Sequence, residues 1–125
     1  MNWQNAALAT AGVIGGGAAA IHGVLVQRLM VRPIEEALAG RRMARPVRRL
    51  IPLLLHFSTV LWFLGGLALI AAAIWSGQET GRPTGLFVGS LYLFGALGNL
   101  WATRGRHPGW MLMAAALVLI AIGIC

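Results

Sequence analysis

The sequence predicts an all-α integral membrane protein, a four-helix up-and-down bundle with a short cytoplasmic surface helix. Three observations lead there. The 125 residues are 58% hydrophobic and only 10% charged, too little polar surface for a water-soluble domain of this size. The apolar residues form four long, nearly uninterrupted runs, where a soluble core would be broken at helical or strand spacing. Nine of the ten arginines fall in two of the loops between those runs. The whole chain, 1–125, reads as a single transmembrane domain.

The first run covers about residues 3–26. Its flank, Met1–Asn5, has no basic residue and the run is long, so it reads as a mature helix and not as a cleaved signal peptide. In the loop that follows, Pro33 suits the first position of a helix and Glu35 and Glu36 suit its first turn, where negative charge meets the positive helix end. Gly40 suits the C-terminal cap. A short helix is therefore expected near Pro33–Ala39, lying among lipid headgroups. The second run covers about 50–75, with Pro52 in its first turn, where the missing N–H costs little. The third and fourth runs, about 86–102 and 109–124, are joined by a short link and should form an antiparallel hairpin. A span needs about 17–25 apolar residues, and in lipid a helix alone satisfies its own backbone groups.

The arginines give an orientation. Arg28, Arg32, Arg41, Arg42, Arg45, Arg48 and Arg49 lie between the first two runs, and Arg104 and Arg106 between the last two. The middle loop has only Arg82, offset by Glu79. The positive-inside rule puts the first and third loops in the cytoplasm of a bacterial inner membrane and both termini in the periplasm. Trp3 and Trp75 then mark the outer edge, Trp101 and Trp110 the inner edge, and Trp62 lies deeper. The net charge of +7 points to anionic lipid headgroups, which the seven first-loop arginines would meet, and away from nucleic acid.

Small residues recur at i, i+4 along the first run: Ala7, Ala11, Gly15, Ala19 and Gly23. Gly12, Gly16 and Ala20 form a second row, and the third run has Gly85, Gly89, Gly95 and Gly98. Such ridges let helix backbones approach closely. They fit packing within the bundle, a seam between copies of the chain, or a groove for a flat ligand.

Polar groups inside spans are costly and are candidates for function. His22, His56 and Asn99 are such groups. Counted inward from the nearest arginine at about 1.5 Å per residue, all three fall at roughly 8–11 Å depth. Asn99 shares a helix face with Tyr92, Gly95 and Thr103. These residues fit an interhelical hydrogen-bond cluster, axial ligation of a b-type haem by His22 and His56, a quinone or other small-ligand site that adds Tyr92, or a transport path. Other chemistries lack their parts. No carboxylate lies inside a run, so neither a metal site nor a catalytic triad can be assembled from the span residues. Glu35 and Glu36 sit in the first loop with Glu79 across the membrane, which leaves no catalytic carboxylate pair. The lone Cys125 forms no internal disulfide, and His107 beside Pro108 reads as a solvated loop residue.

The segment VIGGGAAAIHGVLVQRL, residues 13–29, resembles the glycine-rich first span of Fluc fluoride channels, and Phe57-Ser58-Thr59 is similar to their TFSTF element. That element belongs on their third span and here lies on the second. Those channels also insert in both orientations, against the arginine asymmetry here. Small multidrug transporters also have four spans, but their first-span glutamate has no counterpart. The chain most resembles small uncharacterised four-span bacterial inner-membrane proteins. The resemblance rests on His22-Gly23-Val24-Leu25-Val26 with Arg28 and Arg32-Pro33, on Leu55-His56-Phe57-Ser58-Thr59, and on Arg106-His107-Pro108-Gly109-Trp110. It implies the topology and brings no activity. The expected role is a non-catalytic accessory or structural subunit, in a homo-oligomer or larger membrane complex. The alternatives are a haem- or quinone-binding redox protein and a small channel or transporter.

Overall fold

A computed structural model describes residues 2–125, which are almost all helical apart from two short links, with no strand among them. Helix α1 (Trp3–Val26) opens with the Asn2 side chain, which accepts the Asn5 N–H at 2.8 Å. It passes through one π-helical turn, Gln27–Val31, straight into α2 (Arg32–Leu38). Helix α3 (Arg45–Ala71) returns and ends in a second π turn, Ala72–Ser76. Gly77, at φ 62°, breaks the helix with a backbone angle that glycine adopts without strain. Helix α4 (Gly77–Thr103) and helix α5 (Gly109–Ile124) complete the chain.

Several boundaries differ from expectation. The short helix starts at Arg32, one residue before Pro33, and it continues α1 and is not a separate element. The Arg32 N–H reaches back to the Gln27 carbonyl, and this widened turn makes room for a proline ring that would otherwise crowd the preceding turn. The helix ends at Leu38, before Gly40, which takes φ 85° in the following turn. Arg48 caps that end by donating to the Leu38 carbonyl at 3.2 Å and the Arg41 carbonyl at 3.1 Å. Helix α3 starts at Arg45, with Pro46 in its first turn, so Pro52 lies in the helix interior. Helix α4 starts at Gly77, so Glu79 and Arg82, expected in a loop, are helical, with Glu79 in the favourable first turn. Its far end closes with Arg104 and Gly105 in left-handed conformations and the Gly105 N–H on the Leu100 carbonyl.

The expectation of four spanning helices is met only in part. Helices α1, α3 and α4 have 24, 27 and 27 residues, while α5 has 16. Two continuous stretches, Trp3–Leu38 and Arg45–Thr103, are long and apolar enough to cross a membrane, and Gly109–Ile124 is a shorter apolar helix.

The helices pack through their small residues. Helix α1 lies against α3 and α5, and α4 against α5 and, more loosely, α3. Ala7, Ala11, Gly15 and Ala19 are buried and Gly23 is half-buried, so this ridge faces the inside of the molecule. A Cβ on Gly66 would come within 2.6 Å of the Gly12 carbonyl oxygen, and one on Gly12 within 2.5 Å of the Gly66 oxygen. The phenol of Tyr92, fully buried, occupies the space a Gly15 side chain would fill. Its hydroxyl donates to the Trp62 carbonyl at 3.1 Å. Gly95 in turn makes room for the Trp62 indole, 2.5 Å from where its Cβ would stand. The large apolar side chains mostly point outward: Phe94 is 78% exposed, Leu54 69% and Phe87 67%.

Gly66→Val should therefore lower stability by about 1–3 kcal/mol or more, because the obstructing atoms are backbone and cannot rotate away. Gly17→Ala, with nothing near the added carbon, should lie within about 0.5 kcal/mol of the parent. Reversible unfolding in mixed micelles reads both.

Candidate functional site

The chain brings two sets of polar groups to the arginine-bearing end, and they do different things. The first set ties helices together. His22 Nε2 lies 3.3 Å from Ser58 Oγ, joining α1 to α3. His56 Nε2 lies 2.9 Å from Gln27 Oε1, joining α3 to the π turn after α1. The Tyr92 hydroxyl joins α4 to α3 through the Trp62 carbonyl. At the opposite end, Gln78 of α4 donates to the Gln4 side chain of α1.

These pairings order His22 and His56 along the bundle. Along α1, Gln27 is five residues beyond His22, about 7.5 Å at 1.5 Å per residue. His56 therefore sits nearer the arginines than His22. Tyr92 also leaves the expected site, since its side chain fills the core between α1, α3 and α4.

The second set lines a cavity of about 190 Å³. Its polar lining is His22 of α1, Asn99 of α4 and His107 of the α4–α5 link. Its apolar walls include Leu25, Trp62 and Met113. The His22 and Trp62 rings are tilted against each other with centroids 4.6 Å apart. His56 does not line it, so the two imidazoles do not face a common space in which a haem could lie between them. The volume is also below the roughly 300–1,000 Å³ of sites for larger ligands.

The sequence reading placed Asn99 here and missed His107. The missing signal is the turn. With Arg104 and Gly105 both left-handed, the link is tight, and the Trp110 indole donates back to the Gly105 carbonyl at 3.3 Å. Within this turn the Gly109 N–H donates to His107 Nδ1 at 3.1 Å, which holds the ring half-buried against Asn99. Thr103 donates to the Asn99 carbonyl at 2.7 Å and is occupied by its own helix.

The first-loop arginines, Arg28, Arg32, Arg41, Arg42, Arg45, Arg48 and Arg49, are all exposed. Only Arg48 among them has its guanidinium committed, to the carbonyls of Leu38 at the end of α2 and of Arg41 in the following turn. Comparison with family models, with curated proteins and with solved structures finds no match to this chain.

A double-mutant cycle over Gln27→Ala and His56→Ala should give a coupling of about 0.5–2 kcal/mol, the range of interhelical hydrogen bonds in apolar surroundings. The same cycle over Asn99→Ala and His56→Ala should give none beyond roughly 0.3–0.5 kcal/mol. Both are read from unfolding in mixed micelles.

Proposed function

We propose that this chain is an integral membrane protein with four membrane-crossing helices, α1, α3, α4 and α5. In this reading it serves as a non-catalytic accessory or structural subunit of a bacterial inner-membrane assembly. The observation that carries the membrane reading is the reversal of the usual burial pattern. Among the described residues glycine and alanine dominate the interior, while 28 large hydrophobic residues are exposed, among them Leu53, Phe57, Phe87, Phe94 and Val118. In water such a surface would aggregate; against lipid tails it costs nothing. Helix α5 is roughly 24 Å long at 1.5 Å per residue, a shortfall that local bilayer thinning accommodates.

The exposed arginines gather at the end where α1 leaves, α3 begins and α4 turns into α5. This supports a cytoplasmic location for that end and a periplasmic one for both termini. Trp75 and Trp101, 79% and 85% exposed, suit opposite interfaces. The structural role is supported by the use made of the polar residues. His22, His56 and Tyr92 each spend a side-chain bond on a neighbouring helix.

Cys125, the only cysteine, is exposed and gives a direct test. A membrane-impermeant maleimide should label it in cells with a permeabilised outer membrane. In a Cys125→Ser background, Arg42→Cys should label only after the inner membrane is opened. The opposite pattern would overturn the orientation. In mild detergent the protein should migrate as an oligomer or with partner subunits, and migration as a lone monomer would count against the accessory role.

A further inference from the structure

The cavity opens sideways, and charge stands at its edge. Ile21 on α1 and Leu112 on α5 line it and remain 58% and 42% exposed, and Pro108 at the end of the link is exposed as well. The mouth therefore lies between α1 and α5, beside the α4–α5 link. Behind it stand Trp62, Gly95 and Met113, all buried. The interior that the mouth reaches is mainly apolar.

Two exposed arginines flank this opening. At the far end of the bundle Gly123 of α5 packs on Leu8 of α1. At the near end Gly109 and His22 line one cavity. Both pairs are separated by the same number of residues in α1 and in α5, so the two helices run antiparallel in a constant register. The link then follows at the level of Leu25, and His107 and Leu25 do share the lining. Arg106 precedes His107, one Cα step of about 3.8 Å from a lining residue. Arg28 follows Ile21 by seven residues and Leu25 by three, which places all three on one side of α1. It stands about 4.5 Å beyond Leu25 along the axis. Both arginines are exposed.

An apolar slot with two cations at one edge matches the outline of a phospholipid. A free anion would leave the slot unfilled, and a neutral hydrocarbon would leave the arginines unmet. The size agrees. An apolar cavity of about 150 Å³ holds the six carbons of benzene, so a slot of about 190 Å³ takes roughly six to eight carbons of an alkyl chain. The remainder of the chain leaves through the lateral mouth and rejoins the bilayer along Ile21 and Leu112. We propose that the gap between α1 and α5 is a binding site for one anionic phospholipid, with an acyl chain in the slot and the phosphate between Arg28 and Arg106. The lipid needs no hydrogen bond from the cavity wall. The site differs from a general attraction of arginines to a charged surface, because it selects one lipid at one place. It rests on the membrane reading and not on the orientation or the accessory role.

Trp62, as a wall of the slot, reports whether a chain enters. The full chain, with Trp3→Phe, Trp75→Phe, Trp101→Phe and Trp110→Phe, keeps Trp62 as its one indole. It is reconstituted in phosphatidylcholine vesicles carrying rising amounts of chain-brominated phosphatidylglycerol or chain-brominated phosphatidylcholine, and Trp62 fluorescence is recorded. Phosphatidylglycerol should half-quench at a mole fraction roughly ten- to thirtyfold lower, because each arginine near an anionic headgroup is worth a factor of about five. Arg28→Gln with Arg106→Gln should remove this preference. Arg41→Gln with Arg42→Gln, an equal loss of charge in the α2–α3 link, should keep it. Ala18→Phe, which fills the slot, should bring quenching by phosphatidylglycerol down to the phosphatidylcholine level; the arginine pairs, being exposed, read the site without disturbing the packing. Equal quenching by the two lipids would overturn the proposal, and so would an equal loss of preference in both arginine pairs. A chain that fails to float with the vesicles overturns the membrane reading and the site together. One that floats without lipid preference overturns the site alone. Wrong-side labelling of Cys125 with the preference intact removes the orientation and leaves the site standing.

Discussion

The backbones of α1 and α3 meet at Gly12 and Gly66, and much of the packing around the cavity depends on that contact. In the proposed lipid surroundings, exposed and buried leucines are almost equally content, so burial of large side chains cannot drive the helices together. Close approach can, because it gains dispersion contacts along two backbones at once. With α1 this near, there is room for one large side chain at the centre, and Tyr92 takes it by crossing above Gly15. Its hydroxyl holds the Trp62 carbonyl, and the Trp62 indole folds over Gly95 to become both a wall of the cavity and the partner of the His22 ring. Glycines thus fix the aromatics, and the aromatics shape the cavity.

Much of this was legible in the sequence, for identifiable reasons. The row Ala7, Ala11, Gly15, Ala19, Gly23 has helical spacing, and the structure puts it inside, which decides for packing within the chain over a seam between copies. The Asn99 face was legible for the same reason. Helix ends were not, because hydropathy marks where a chain is apolar and not where it is helical. Arg45, Arg48 and Arg49 belong to α3, and Gln78 through Thr84 to α4, although none of these segments is apolar. His107 escaped notice because its place depends on two consecutive left-handed residues, of which Arg104 carries no sequence signal.

The irregular backbone is concentrated near the helix junctions. Both π turns adjoin a residue that disrupts an α-helix: Pro33 follows Gln27–Val31, and Gly77 follows Ala72–Ser76. The first lets α1 run on into α2 beyond the packed region, where α2 buries no residue of its own. That extension carries the exposed Arg28 and Arg32. It also places Gln27 within the widened turn, where its side chain reaches His56. The device that accommodates a proline therefore also supplies one of the interhelical ties.

Among the described residues two buried side-chain polar atoms lack partners, and they do not carry equal weight. Thr59 Oγ1 is one, but a threonine hydroxyl on a helix has its own preceding carbonyls within a small rotation, and Thr59 is positioned mainly by its methyl group against Gly23. Asn99 has no such local remedy. Its amide nitrogen lies toward His107 and the start of α5, while its oxygen is enclosed by protein. A residue that served only to hold helices would be expected to resemble His56 or Tyr92, each satisfied by a neighbour at about 3 Å. Asn99 sits among such ties and takes no part in them. That difference sets Asn99 apart from the polar groups that brace the bundle.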